Sequence, residues 1–450
     1  MDATKTSGKK MLPTLAISTL MLMTFGNLGT SMAFSLQSAN MGRIFQTLGA
    51  DPTKLGFFFI LPPLAGMVVQ PLVGFFSDKT WLPKLGGRRL PYLILGSLVA
   101  IIVMCLLPNS GSFGFKASNA LWFGAIAILF MDLSSNMSMQ PFKMMISDMV
   151  NDEQKDMAWS WQTIWGNIGG VVANLFPFFF TAIGVVNVAS AGQLPASVKI
   201  SFYVGALLLA LSAGFTIFKV QEYDPKTYAQ YHGIDENGEK LNMFQILKRA
   251  PKVFWTLGLV EFFCWAGFQY LWTYGTGTVA QNIWHTTDVA SAAFQNAGNW
   301  FGILSAIETV TAIVWGLMIT KLNNKTRKPV YTLGLILGAI GFFTLATTHS
   351  QAISAVSFVL LGIAWVTMNA IPFTILTNAL DGTNDGSYMG LFNSWICLPQ
   401  IIASVASFAL YPMLGNFMPH MILISAILFV MGAAAVWVVK ETSVEHDASN

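Results

Sequence analysis

Twelve stretches of about 20 residues with almost no charge recur along this chain, and that recurrence settles what it can fold into. Bounded by charged residues or by Gly, Pro and Asn, they run over residues 11–36, 55–76, 91–108, 120–147, 159–186, 200–219, 253–280, 298–320, 329–347, 352–378, 387–411 and 418–439. At a helical rise of 1.5 Å per residue, about 20 residues cross the roughly 30 Å of bilayer hydrocarbon. Hydrocarbon offers backbone N–H and C=O groups no partner, so a run of this length spans as a helix bonded to itself. Composition agrees: 54% of the 450 residues are apolar and 10% are charged, against roughly 25% charged in a soluble domain. Soluble cores stop growing near about 250 to 300 residues, so lipid must be the solvent for most of this surface. The expectation is an all-α membrane protein with twelve transmembrane helices.

Lysine and arginine set the orientation. Of the 24, only Arg43, Lys54, Lys116 and Lys199 fall on the side of the odd-numbered loops; the remainder sit in the termini and even-numbered loops, counting Lys143 at the end of the fourth run. The positive-inside rule then places both termini in the cytoplasm. A net charge of +3 carries no nucleic-acid signature. Cys105, Cys264 and Cys397 stand inside apolar runs, with neither a disulfide framework nor a zinc spacing. A polar, basic decapeptide leads into an apolar run from Met11 without a small-residue cleavage site, so that run is expected to stay as the first span.

The longest polar stretch, 221–252, falls at the midpoint and reads as a cytoplasmic linker. It separates an N-terminal six-helix bundle, 1–220, from a C-terminal one with a short cytoplasmic tail, 253–450. An internal repeat supports the division. Gly74 and Arg89-Leu90-Pro91-Tyr92 between the second and third runs match Gly316 and Lys328-Pro329-Val330-Tyr331 between the eighth and ninth. Pro141-Phe142 and Pro177 recur as Pro372-Phe373 and Pro412. Two such pseudo-symmetric halves, with a site between them near the bilayer midplane, form a recurring transporter plan.

An ionisable side chain at mid-membrane costs about 2.5 to 3.5 kcal/mol on insertion scales, so each one needs a reason. Asp132 lies roughly 18 Å into the fourth run, with Asn136, Gln140 and Lys143 following on one face within about 80° of arc. Burial disfavours the charged form of a carboxyl group, which is what a proton-coupling acid requires. The bland alternative is a structural, hydrogen-bonding aspartate, or one paired with Lys143, itself a candidate partner of Asp148. The seventh run repeats the pattern with Glu261, Trp265, Gln269 and Trp272: indole faces cover the C–H side of a pyranose and amides bond its hydroxyls, although tryptophan also serves as packing. Glu261 and Glu308 are candidates for a second titrating group, or helix-packing partners. Gln37, Asn40, Trp161, Gln162, Trp165, Asn393 and Trp395 are weaker polar or aromatic candidates for the cavity.

Absences narrow the field. The sequence has no Gly-rich phosphate loop for direct ATP use. Its five histidines, at 232, 285, 349, 420 and 446, fall in loops or at span edges, which disfavours a membrane-buried haem or metal site. No serine finds a His and Asp partner at shared depth, so an intramembrane enzyme is not expected.

Gly74-Phe75-Phe76-Ser77-Asp78 followed by Gly87-Arg88-Arg89-Leu90-Pro91 resembles the loop signature of the major facilitator superfamily, in the longer form of sugar:cation symporters. Physically, Asp78, Arg88 and Arg89 suit a conformational latch between helix ends. Met131-Asp132-Leu133-Ser134-Ser135-Asn136, then Pro141-Phe142-Lys143 and Asp148, is similar to the span-four signature of the sucrose transporter (SLC45-like) family of proton:disaccharide symporters. Phe34-Ser35-Leu36-Gln37 and Tyr388-Met389-Gly390-Leu391-Phe392-Asn393 resemble its span-one sugar contact and its span-eleven signature in bacterial members. The resemblance implies the major facilitator fold and a proton-accepting, sugar-binding role for Asp132. The sequence departs from the family at Lys143, where arginine is usual, and at Ser135, where plant members carry the first of two asparagines.

The functional expectation is a proton-coupled symporter that imports a disaccharide by alternating access. Maltose or a related α-glucoside comes first among its substrates and sucrose next. The alternatives are a proton-driven exporter of amphipathic small molecules and a sodium-coupled sugar symporter. Its partners would be sugar, proton and the lipid of the cell membrane, with no other cofactor and a functional monomer.

Overall fold

The computed structural model describes residues 11–115, 117–232, 243–319, 322, 324–380 and 385–440. Among them twelve helical spans follow in order. The first six are α1 (Ile17–Phe25 continuing as Asn27–Thr47), α2 (Leu55–Phe59 continuing as Leu61–Lys79), α3 (Leu90–Leu106), α4 (Ala117–Met149), α5 (Lys155–Ala182) and α6 (Ala196–Lys219). The second six are α7 (Lys252–Ile283), α8 (Ala292–Ile319), α9 (Asn324–Thr347), α10 (Gln351–Asn378), α11 (Asp385–Phe392 continuing as Ser394–Met413) and α12 (Met418–Ala435). Short helices Pro225–His232 and Met243–Arg249 lie in the stretch read as linker.

Ten spans are long and apolar enough to cross a membrane on length and composition alone. The other two, α1 and α7, are interrupted by polar side chains such as Gln37 and Arg43 or Glu261 and Gln269, all buried. For the same reason α1 runs on to Thr47, well past the expected end at residue 36. Residues 37–47, which look like an outer loop by polarity, stay helical because the bundle supplies their partners.

Helix pairing repeats between the halves. In the first, α1 packs on α5 and α6, α3 on α4 and α6, and α2 on α4. In the second, α7 packs on α11 and α12, α9 on α10 and α12, and α8 on α10. The seam obeys the same rule, since α5 meets α8 where α11 meets α2, and α1 faces α7. A pseudo-two-fold axis therefore relates the two six-helix sets, as expected of parallel transporter repeats. Small residues allow the close approaches: a Cβ added to Gly29 of α1 would stand 2.5 Å from the Leu209 Cα of α6.

The interruption of α1 at Gly26 has an identifiable cause. The Thr216 hydroxyl of α6 accepts from the Gly26 N–H at 2.9 Å and donates to the Leu22 carbonyl at 2.8 Å. It thus inserts itself into the position of the i to i−4 bond between those two groups, satisfying both without water.

One end of the seam is sealed by Arg43, whose side chain is fully buried. Its Nε donates to Gln295 Oε1 at 2.7 Å, Nη1 to Asn299 Oδ1 at 2.9 Å and Nη2 to Asn187 Oδ1 at 2.8 Å. Gln295 also donates to Thr47, and Asn299 to Thr181, so α1, α5 and α8 are tied together. This seal lies at the end of the bundle away from the 221–252 stretch.

Thr216→Val keeps the shape but removes the hydroxyl that serves the Leu22 C=O and the Gly26 N–H in an apolar setting, leaving that N–H only the Thr24 carbonyl. The expected loss is about 1 to 3 kcal/mol for an orphaned group, read as a lower melting temperature in detergent, while Thr216→Ser stays close to the parent.

Candidate functional site

Below the Arg43 seal, a cavity of about 560 Å³ opens between the two six-helix sets. That is within the roughly 300 to 1,000 Å³ of small-molecule sites. Asp132 stands on its wall at the middle of α4, with no solvent exposure. Its Oδ1 accepts from Gln37 Nε2 of α1 at 2.7 Å. Its Oδ2 has no hydrogen-bond partner among the described residues, and neither does Gln37 Oε1. Asn136, one turn along, donates to the Asp132 carbonyl and accepts from Gln70 of α2 at 2.8 Å.

Opposite this polar wall stands an aromatic one. Trp265, Trp272 and Trp365 line the cavity, with ring centroids 5.4 Å apart between Trp265 and Trp365 and 5.9 Å between Trp272 and Trp365. Gln269 lies between them in sequence and reaches the seam, donating to the Phe59 carbonyl at 2.8 Å and to Ser404 at 2.7 Å. Asn393 lines the cavity at the interruption of α11. Indole faces across from amides and a carboxylate suit a ligand with an apolar ring face and a hydroxylated edge.

Several expected contacts fall elsewhere, each for a helical reason. Gln140 is rotated about 80° from Asp132 on α4, off the cavity wall. Lys143 shares Asp132's face but sits about 16 Å further along the axis, beyond the cavity. Neither lines it, and Asp148, considered as a partner for Lys143, is instead paired with Arg89. Asn40 points to the side of α1 opposite Ser38 and donates to the Leu36 carbonyl at 2.9 Å. Gln162 and Trp165 turn from the cavity toward α1, where Trp165 stacks on Trp161 and meets Phe25 edge-on. The face that α5 does present carries Thr163, Asn167, Gly170 and Asn174. Trp395 packs against Trp255 and Phe254, away from the cavity.

The two glutamates separate cleanly. Glu261 is fully buried one turn below Trp265, accepting from its Nε1 at 2.6 Å and from the Tyr331 hydroxyl at 2.9 Å, and it does not line the cavity. Glu308 of α8 does line it. Gln70, Asn167, Asn174 and Gln400 were missed by the sequence reading; each is an amide deep within a span, which is the signal that singled out Asp132, only weaker. Among the described residues no group of three His, Cys, Asp or Glu side chains converges as a metal site.

Where the first six helices reach the 221–252 stretch, a second polar cluster joins the α2–α3 loop to its neighbours. Arg89 Nε pairs with Asp148 Oδ2 at 2.8 Å, and its Nη1 donates to Ser77 Oγ at 2.5 Å. Glu222, just past α6, accepts from the backbone N–H groups of Arg88, Arg89 and Leu90, capping the start of α3. Arg88 stacks its guanidinium 4.2 Å over the Tyr228 ring, a contact made through its plane. The Asp78 side chain, third member of the expected latch, lies outside the described residues. Gly87 adopts φ +142, and a Cβ there would meet Glu222 at 2.7 Å, so glycine alone fits.

A family model described as Major Facilitator Superfamily matches residues 23–404. The chain belongs to that superfamily. Among curated proteins it is similar to sucrose transport protein SUT5 of Oryza sativa subsp. indica, at 22% identity over 93% of this chain and 87% of the relative. Sucrose transport protein SUC4 of Arabidopsis thaliana is 21% identical over 84% and 81% of the respective chains. Among solved structures, nucleoside transporter NupG superposes with a TM-score of 0.68 at 14% identity, covering 94% of this chain and 98% of its own. The xylose transporter XylE from E. coli, in an inward-open conformation, gives a TM-score of 0.65 at 14% identity, with 96% of each chain covered. These likenesses show the major facilitator fold with its twelve helices. As a member of the superfamily the chain is a multi-pass membrane transporter and not an enzyme.

Within this major facilitator chain, Glu261 holds helices together. Glu261→Ala orphans the Trp265 N–H and the Tyr331 hydroxyl, and should cost about 1 to 3 kcal/mol for each group left unpaired, measured as thermal melting in detergent. Burial pushes the Glu222 carboxyl above its ordinary value of 4.5, against the opposing pull of the three backbone N–H groups. Between 4.5 and that raised value the folded chain holds a proton the unfolded chain has released, so stability falls as pH rises through the window. Glu222→Gln should flatten this part of the stability-versus-pH curve relative to the parent.

Proposed function

We propose that this chain is a proton-coupled symporter that imports a disaccharide across the cell membrane by alternating access, maltose or a related α-glucoside first and sucrose next. The observation that carries the reading is the buried Asp132 carboxylate on the cavity wall, with one oxygen held by Gln37 and the other unpartnered. Two relatives named as sucrose transport proteins align along most of the chain and support a sugar as the substrate class. The tryptophan wall supports it chemically.

The coupling follows from competition for one amide. In the empty carrier, Gln37 stabilises the Asp132 charge, so the ionised carboxylate tolerates being sealed from water. Sugar hydroxyls that take Gln37 leave that charge unsupported in a site where it costs several kcal/mol, on the order of the insertion penalty. Asp132 then accepts a proton, and the neutral acid, sugar included, passes through the occluded state. Opening on the other side hydrates the site, releases sugar and proton, and returns Gln37 to the carboxylate. With both termini cytoplasmic, as the Lys and Arg distribution favours, the Arg43 seal is the outer gate and the cavity faces the cytoplasm. The monomer holds every part of this cycle, with the proton as coupling ion.

Labelled-maltose uptake into vesicles under an imposed pH gradient tests the scheme. The parent should accumulate sugar; Asp132→Asn should lose accumulation, at least tenfold, yet keep sugar counterflow. Equal accumulation by both, or dependence on sodium in place of the pH gradient, overturns it.

A further inference from the structure

The cavity holds an acid from each half, and their surroundings differ in kind. Asp132 on α4 faces Gln37, an amide donor 2.7 Å away. Glu308 on α8 also lines the cavity, yet its carboxyl group makes no hydrogen bond or ion pair among the described residues. The helices packed on α8 turn no cation toward it at the cavity: α1 presents Gln37 and Ser38 there, α5 Asn167 and Asn174, α7 Gln269 and two indoles, and α10 Trp365, while Arg43 of α1 meets α8 at Gln295 and Asn299, roughly 13 Å further along the helix. Beyond these helices, the remaining ionisable groups on the wall are Asp132 itself and the Cys397 thiol; no lysine, arginine or histidine lines it among the described residues. The Glu308 backbone is fixed as well, since a Cβ on Gly362 of α10 would stand 2.5 Å from its carbonyl oxygen, so α8 and α10 are in close contact at this level.

We infer that Glu308 stays protonated throughout the transport cycle and acts as a neutral hydrogen-bonding ligand for a sugar hydroxyl from the C-terminal half, setting affinity without contributing to proton coupling. This rests on the symport reading. Each cycle seals the cavity twice, once loaded and once empty. When empty, Asp132 keeps its charge because Gln37 supports it, whereas a Glu308 carboxylate would be sealed in one cavity with a second negative charge and no cation on the wall to offset it. It must therefore be neutral on the return leg as well as the forward one, and a proton carried both ways does no net work. A carboxylic acid held neutral has one O–H to donate and a carbonyl oxygen to accept, a match for a polyol. Two acids in one cavity then have separate tasks assigned by their neighbours.

Three measurements on purified protein in liposomes test this. The proton:sugar ratio, from the membrane potential that nulls sugar flux, should be one for the parent and one for Glu308→Gln, which keeps a donor and an acceptor. Glu308→Ala should raise the KM for maltose about tenfold with the ratio unchanged. Infrared spectra at neutral pH should show a protonated-carboxyl stretch in the parent that is missing from Glu308→Gln, a readout independent of transport. A parental ratio of two, accumulation lost in Glu308→Gln with counterflow preserved, or no difference in the carboxyl stretch each overturns the inference. A parent that accumulates no sugar under a pH gradient fails the symport reading itself, and this role for Glu308 falls with it.

Discussion

Hydrocarbon supplies no hydrogen bonds, and nearly every polar side chain in this chain is placed in answer to that fact. Thr216 fills the gap in the α1 ladder, Tyr331 and Trp265 satisfy Glu261, and three amides surround Arg43. What remains unpaired is informative. Asp132 Oδ2 and Gln37 Oε1 lie at the cavity, where a ligand can complete them. A second unpartnered set, Asn27 Oδ1, Gln162 Oε1 and Trp165 Nε1, sits around the interruption of α1, and nothing in the structure assigns it a role.

The repeated pairing of helices gives the cavity walls of matched construction but unmatched chemistry. α1, α4 and α2 present amides and a carboxylate in the first half, while α7 and α10 present indoles in the second. A symmetric frame thus holds an asymmetric site, with polar groups on both sides and indoles on one only. A ligand lying across the seam would therefore meet unlike partners in the two halves.

Much of this was legible in the sequence because lipid imposes so simple a rule. Twelve apolar runs gave twelve spans, and a depth estimate placed Asp132 on the cavity wall. Failures came where rotation about a helix axis mattered more than depth. Asn40, Gln162 and Trp165 are near the cavity in height but turned away from it, and a single chain carries no record of which face a neighbour covers. Gln140 and Lys143 extend a stripe that drifts or outruns the cavity. Glu261 and Glu308 read alike as mid-span acids, and only Tyr331 and Trp265, which come to Glu261 from separate stretches of the chain or one turn above, tell them apart. Residues 37–47 looked like a loop because their partners, Gln295, Asn299 and Asn187, arrive from distant positions.

The Arg43 seal contains a guanidinium, three carboxamides and no acid or histidine. The guanidinium charge is met there by amide oxygens, so the seal is built without a counter-ion. Water can stand in for each carboxamide oxygen, so the closure parts with no ion pair to break.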